Sequence, residues 1–86
     1  MRVLLIEDEK SLSEAICQVL KKEYIVADAA YTGTDGLDAA LSGIYDAIIL
    51  DVMLPKMDGF AVLKELRREG ITTPIMMLTA RGGLED

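Results

Sequence analysis

Apolar residues along the chain follow two alternating patterns. Short apolar runs cover residues 3–6, 24–29, 47–50 and 75–78, the second weaker than the others, and the stretches between them space apolar residues three and four apart. A short aliphatic run is typical of a strand covered on both faces, whereas the three-four spacing predicts an amphipathic helix. The predicted element order is therefore βαβαβαβ.

The predicted helices carry recognisable start signals and apolar faces. Ser11 and Glu14 form a capping-box pattern at the start of the first helix, and Asp58-Gly59 is typical of a turn before the third. The apolar faces of the first and third helices are expected to consist of Leu12, Ala15, Ile16, Val19 and Leu20, and of Phe60, Leu63 and Leu66.

Strands that alternate with helices determine the fold class. They imply a parallel sheet with right-handed crossovers and helices on both faces. The 86 residues form one domain at most. We therefore expect a single doubly wound α/β domain whose functional groups collect at the carboxyl ends of the strands.

Composition excludes several classes of function. The net charge is −6 and the pI is about 4.5, so this chain offers no basic stripe for nucleic acid, and any DNA binding would belong to another segment. The sequence has no His, which removes histidine bases and ligands, and its single cysteine, Cys17, cannot form an internal disulfide. With no signal-peptide pattern and no long apolar span, the chain is expected to be cytoplasmic.

Three of the predicted strands end in polar functional groups. Glu7 and Asp8 follow the first strand, Asp51 follows the third and Thr79 follows the fourth. If the first and third strands are neighbours, Asp8 and Asp51 lie within a few ångströms of each other, and their repulsion would raise a pKa or recruit a cation. Mg²⁺ is the natural occupant, and a free oxygen of Asp51 could then attack phosphorus to give an acyl phosphate.

At this point the sequence resembles the receiver domains of response regulators from two-component systems, OmpR-type regulators most closely. The resemblance rests on three motifs: Ile6-Glu7-Asp8-Glu9, Ile49-Leu-Asp51-Val-Met-Leu-Pro55-Lys-Met-Asp58-Gly59 and Ile75-Met-Met-Leu-Thr79-Ala80-Arg81. It implies a flavodoxin-like (CheY-like) sheet with strand order 2-1-3-4.

The resemblance also implies a role for each site residue. Asp51 would accept a phosphoryl group from a sensor histidine kinase, with Mg²⁺ as cofactor. Asp8 would bind the metal directly, Glu7 directly or through water, and the backbone carbonyl of Met53 would be a further ligand. Thr79 would be the switch hydroxyl, and the backbone amide of Ala80 would bond the phosphoryl group. The receiver would promote only its own phosphorylation and would not be a turnover enzyme.

Compared with the family pattern, the sequence stops early. Residues 1–86 are expected to be a receiver domain without its last helix, strand and helix, and therefore without the lysine of the fifth strand. Contact with DNA would need an output domain, such as a winged helix. The alternative for the isolated chain is an inactive fragment or an interaction module that self-associates, for example by strand exchange, because an uncovered sheet edge and apolar surface recruit partners.

Three other functions compete with this interpretation. A flavodoxin-like flavin binder needs a phosphate-cradling loop after the first strand, where Glu7-Asp8-Glu9 would repel phosphate. A haloacid dehalogenase has a second acid two residues after its nucleophile, a position that Met53 occupies here. A pseudo-receiver would serve as an interaction module without phosphorylation and usually lacks the acidic pocket or the acceptor.

Overall fold

A computed structural model describes residues 1–79 of the chain. Its elements follow the predicted order: β1 (Arg2–Ile6), α1 (Lys10–Lys22), β2 (Val26–Ala30), α2 (Gly33–Ala40), β3 (Ala47–Asp51), α3 (Gly59–Arg68) and β4 (Ile75–Leu78). None of the helices within the described residues is long and apolar enough to cross a membrane.

The four strands form one parallel sheet in the order β2-β1-β3-β4. This order confirms the α/β, flavodoxin-like prediction and the neighbouring positions of the first and third strands. In the register, Ile6 lies opposite both Ala30 and Leu50, and Asp51 lies opposite Leu78. The carboxyl ends of all four strands therefore meet at one edge of the sheet.

Most of the core lies on the face of the sheet covered by α2 and α3. Side chains alternate between the two faces of a strand, so Leu4 and Ile6 point to one side and Val3 and Leu5 to the other. The buried cluster on the α2–α3 side contains Leu4, Ile6, Ala30, Ala40, Ile48, Leu50, Leu54, Val62 and Leu66. The central strands β1 and β3 are fully buried on this face, whereas Val26, at the start of the edge strand β2, stays 55% exposed.

The opposite face of the sheet is covered by α1 alone within residues 1–79. Val3 and Leu5 are buried beneath it, but Val19 on α1 is 61% exposed and Met76 on β4 is 62% exposed. The predicted apolar face of α1 is therefore only partly buried, since one helix cannot cover a four-stranded sheet.

Two details of the helix predictions are wrong. The capping box is not formed: α1 begins at Lys10, its N-cap is Glu9, and no side chain caps it. The amide of Ser13 already bonds the carbonyl of Glu9 at 2.9 Å, so Ser11 lies inside the helix. In α3, Leu66 is buried as predicted, together with Val62, but Phe60 stays 59% exposed because Gly59 takes the position against the sheet.

Helices α1 and α3 end in the same backbone motif. In α1 the amide of Tyr24 donates to the carbonyl of Lys21, and the amide of the next residue donates to the carbonyl of Leu20. In α3 the amides of Gly70 and Ile71 donate to backbone carbonyls three and five residues earlier, in the same pattern. The first residue beyond each cap takes a left-handed conformation, with φ of 62° at Tyr24 and 83° at Gly70. Glycine is the usual residue there, so Tyr24 is strained.

A polar cluster joins the amino ends of the first three strands. Asp28 accepts hydrogen bonds from the Tyr45 hydroxyl at 2.7 Å and from the Arg2 guanidinium at 3.0 and 3.1 Å. These hydrogen bonds lower the pKa of Asp28 below its ordinary value, and the one from Tyr45 has the larger effect. The cluster lies at the edge of the sheet opposite the acidic residues and serves to hold β2 against its neighbours.

Candidate functional site

The carboxyl edge of the sheet forms a cleft. Because Ile6 pairs with Leu50, the residues that follow them, Glu7 and Asp51, lie side by side. The pairing of Asp51 with Leu78 brings Thr79 to the same edge. The cleft is lined by Glu7, Asp8, Glu9, Leu12, Asp51, Met53, Leu78 and Thr79.

Three carboxylates converge in this cleft. Glu7, Asp8 and Asp51 each offer a carboxylate oxygen, and these oxygens all lie within 4.8 Å of one another. The Glu7 residue is 3% exposed and Asp51 is 7% exposed, while Asp8 is open to solvent. The sequence-based expectation that Asp8 and Asp51 lie close together agrees with this geometry. Sequence reasoning did not anticipate that Glu7 would be buried.

It is electrostatically unfavourable for all three carboxylates of the cluster to be ionised at once. Burial raises the pKa of Glu7 above its ordinary value, and the nearby carboxylates of Asp51 and Asp8 raise it further. The amide of Glu9, which donates to Glu7 Oε2 at 3.0 Å, acts in the other direction. The site is therefore stabilised by whatever supplies positive charge, either a proton or a cation.

A Mg²⁺ ion suits this donor set. It prefers oxygen ligands, is commonly held by one or two carboxylates, and keeps several waters. Two buried carboxylates beside an exposed one provide such ligands and leave a solvent-facing side for water or a phosphoryl group. The three residues present therefore fit Mg²⁺.

The loop after β3 controls the orientation of Asp51. The amide of Met53 donates to Asp51 Oδ1 at 3.0 Å, and the amide of Gly59 donates to the carbonyl of Val52 at 2.9 Å. A Cβ at Gly59 would lie 2.3 Å from the carbonyl oxygen of Asp51, so only glycine allows α3 to start this close to the strand. Asp58 is the N-cap of α3 and accepts a bond from Ala61 at 2.9 Å.

The remaining predicted site residues lie in different positions. Met53 and Thr79 line the cleft, and the side chains of both are exposed. Ala80 lies outside the described residues. Glu9 and Leu12 also line the cleft and were not predicted to do so, because the first turn of α1 begins earlier than its sequence signal suggested.

A second groove lies far from the carboxylates, at the C-terminal end of α1 and the start of β2. It is lined by Cys17, Lys21, Tyr24, Ile25, Val26 and Ala27. Its lining is mainly apolar and has no carboxylate, so it offers none of the chemistry of the acidic cleft.

Comparison with known proteins gives a consistent result at the sequence level. The family model described as the response regulator receiver domain matches residues 3–86. The transcriptional regulatory protein DltR of Streptococcus agalactiae is 48% identical over 86 residues, which is 100% of this chain and 38% of the relative. CiaR of Streptococcus pneumoniae is 44% identical over the same length, again 38% of that protein. The chain thus spans less than half the length of these relatives.

Solved structures agree with the fold. The receiver domain of the Francisella response regulator 1452 superposes with a TM-score of 0.89 at 32% identity, over 98% of this chain and 69% of that one. The Thermotoga maritima response regulator TrrA, in complex with Mg²⁺ and BeF, gives a TM-score of 0.86 at 34% identity, over 92% of this chain and 69% of that one.

Proposed function

Because this chain belongs to the response regulator receiver domain family, we propose that it is a phosphorylation switch whose acceptor is Asp51. The observation that carries the proposal is the cluster of Glu7, Asp8 and Asp51, whose carboxylate oxygens lie within 4.8 Å of one another at the carboxyl edge of the sheet. Such a cluster combines a cation site with a nucleophile.

Asp8, Asp51 and Glu7 would hold Mg²⁺, Glu7 directly or through water, and the backbone carbonyl of Met53 would complete the protein ligands. When bound, the ion would neutralise charge on the phosphoryl group during transfer. The Met53 amide already bonds Asp51 Oδ1. This bond would keep one oxygen of Asp51 in place and leave the other directed towards the donor.

In the proposed reaction, an oxygen of Asp51 attacks the phosphorus of a phosphohistidine on a sensor kinase. The new O–P bond forms as the P–N bond breaks, and the imidazole keeps the electron pair and takes up a proton. This chain has no His, so the donor must come from a partner. The receiver promotes only its own modification, mainly by positioning and charge neutralisation.

Thr79 and Ala80 would report the modification. Thr79 lines the same cleft as Asp51, so its hydroxyl would donate a hydrogen bond to the acyl phosphate after a local movement of Thr79 itself. The backbone amide of Ala80 would provide a second donor. The relatives are named transcriptional regulatory proteins, which supports a DNA-binding output domain as the target of the switch.

Intact-mass spectrometry tests the acceptor. The chain is incubated with acetyl phosphate and Mg²⁺, with EDTA in place of Mg²⁺, and as the variants Asp51→Asn and Asp38→Asn, the second removing an exposed acid on α2. We expect one phosphoryl group on the unmodified chain and on Asp38→Asn, and none with EDTA or on Asp51→Asn. An adduct on Asp51→Asn, or none on the unmodified chain, would refute the proposal.

A specific observation also favours self-association of this chain. Within residues 1–79, Val19 and Met76 are exposed on the face of the sheet that α1 covers alone. We propose that two copies pack these faces together, because exposed apolar surface of this kind attracts partners. Light scattering after size exclusion should give a mass that rises with concentration and falls to the monomer value in Val19→Glu.

Val26→Glu is the matched control for self-association, since Val26 is 55% exposed but belongs to the row of side chains on the opposite face of the sheet. A monomeric unmodified chain, or a dimer that persists in Val19→Glu, would contradict the proposed interface.

A further inference from the structure

The loop of residues 52–58, which links β3 to α3, packs closely against helix α2 at Gly33. A Cβ placed on Gly33 would lie 2.4 Å from the carbonyl oxygen of Met57 and 3.1 Å from its Cβ. Real Cβ atoms essentially never approach other atoms as closely as the first of these distances. The obstacle is a backbone oxygen, which cannot rotate away as a side-chain tip can, so any larger residue must displace the loop or the helix.

The loop is tightly folded around this contact. At the base of the loop, the amide of Gly59 donates to the carbonyl of Val52 at 2.9 Å. Near the tip of the loop, the amide of Met57 donates to the carbonyl of Pro55 at 2.7 Å. Between these, Lys56 takes a left-handed conformation with φ of 68°, which costs energy for a residue with a side chain. Such a conformation persists only where neighbouring contacts hold it, and the first turn of α2 is the neighbour at Met57.

The same loop leads directly from the carboxylate cluster. Met53 is its second residue and bonds Asp51 Oδ1 through its amide. Val52 is held at the base of the loop by the contact between Gly59 and the carbonyl of Asp51. Five residues separate Met57 from Asp51, and hydrogen bonds within the loop tie them together, so a displacement at Met57 would reach Asp51 through a short, hydrogen-bonded segment.

We propose that Gly33 is a positioning residue for the metal site. By allowing α2 to rest against the Met57 carbonyl, it holds the loop so that the Met53 carbonyl and the Asp51 carboxylate keep their mutual orientation. This inference rests on the proposed function, because it assigns Gly33 a role towards the same Mg²⁺ site. Gly33 does not itself line the acidic cleft.

Gly36 provides an internal control. It lies one turn further along α2, and a Cβ there would lie 2.5 to 2.7 Å from side-chain atoms of Ile6 in the core. Gly33→Ala and Gly36→Ala thus make the same chemical change in the same helix. The first presses on the loop after β3 and the second on the hydrophobic core, so their effects on metal binding and on stability should separate.

The experiment measures the Mg²⁺ dissociation constant of the whole chain by amide NMR titration, and thermal unfolding in parallel, for the unmodified chain and both variants. We expect Gly33→Ala to raise the dissociation constant about tenfold, the lower end of what losing support for metal ligands costs. Gly36→Ala should lower the melting temperature and leave the dissociation constant unchanged. Equal dissociation constants for the unmodified chain and folded Gly33→Ala would overturn the inference while the proposed function stands.

Two other outcomes are also decisive. If Gly33→Ala does not fold, the amide shifts of the unmodified chain answer the question: Mg²⁺-dependent shifts that reach Met57 and Gly33 support coupling, and shifts confined to residues 7–9 and 51–53 refute it. If the unmodified chain binds no Mg²⁺, the proposed function fails and this inference fails with it.

Discussion

Replacing Glu7 with glutamine should stabilise the chain when Mg²⁺ is absent. Glu7 is 3% exposed, and its carboxylate lies within 4.8 Å of those of Asp8 and Asp51. Glutamine has nearly the same shape, and its carbonyl can still accept the hydrogen bond that the amide of Glu9 donates. The substitution therefore removes a buried negative charge while keeping the packing and the local hydrogen bond.

The size of the effect follows from the geometry. Two unit charges at the 4.8 Å limit of the cluster repel by roughly 0.9 kcal/mol at the dielectric constant of water and roughly 3.5 kcal/mol at an effective value of about 20. A hydrogen bond to a charged acceptor is stronger than one to a neutral amide, which offsets about 1 kcal/mol of this gain. We expect a net stabilisation of about 1 to 2 kcal/mol, and each kcal/mol raises the Tm of a domain this size by about 4 to 8 °C.

The pH dependence has a definite sign. The pKa of Glu7 is raised in the folded state, chiefly by burial, so the folded chain holds this proton more tightly than the unfolded chain does. The stability that the protonated form contributes is fully present below the unfolded value of 4.5 and is lost as pH rises through the raised folded pKa. The advantage of Glu7→Gln should therefore be greatest at neutral pH and nearly vanish below that unfolded value.

Thermal and urea unfolding, followed by circular dichroism in EDTA, measure this difference across the pH range. Glu14→Gln, which neutralises an exposed acid on α1, controls for the change in net charge. Adding Mg²⁺ should stabilise the unmodified chain more than Glu7→Gln, because the ion then supplies the missing positive charge. The reasoning is refuted if Glu7→Gln is no more stable than the unmodified chain at neutral pH, or if its advantage persists unchanged in acid.

Three further changes should alter stability, each measured by urea unfolding. Tyr24→Gly should stabilise the chain by about 1 kcal/mol, because glycine relieves the left-handed backbone at a residue that is 93% exposed and loses little packing; unchanged or lower stability would contradict this. Asp28→Asn should cost about 0.5 to 1 kcal/mol at neutral pH, since the side chain is partly exposed and its bonds from Tyr45 and Arg2 are screened. The pKa of Asp28 is lowered in the folded state, so the stability that its carboxylate contributes is present above the unfolded value of 3.8 and is lost as pH falls through the folded pKa. If Asp28→Asn were still less stable than the unmodified chain in strong acid, the loss of the carboxylate could not be the cause. Arg67→Ala should cost about 1 kcal/mol, because its guanidinium donates to two backbone carbonyls in the loop before β4, at 2.7 and 3.0 Å; a loss of zero would show that solvent replaces those bonds.

The order of strands and helices, and the edge at which the acids collect, could be read from the sequence. Strand and helix periodicity are properties of short segments, and the carboxyl ends of parallel strands always share one edge of a sheet. Glu7, Asp8, Asp51 and Thr79 could therefore be placed together once four strands had been recognised.

Only the tertiary structure decided how deeply each of these groups is buried and what surrounds it. The burial of Glu7, the exposure of Phe60 and Val19, and the close approach of Gly33 to Met57 depend on which elements pack against each other. Periodicity reveals that a helix has an apolar face, but it contains no information about how much of that face another element covers. In sequence, a glycine is usually interpreted as part of a turn or a helix cap, but it can equally mark a place where two backbones pack closely together. The sequence does not distinguish the two cases, because the two backbones belong to segments far apart in the chain.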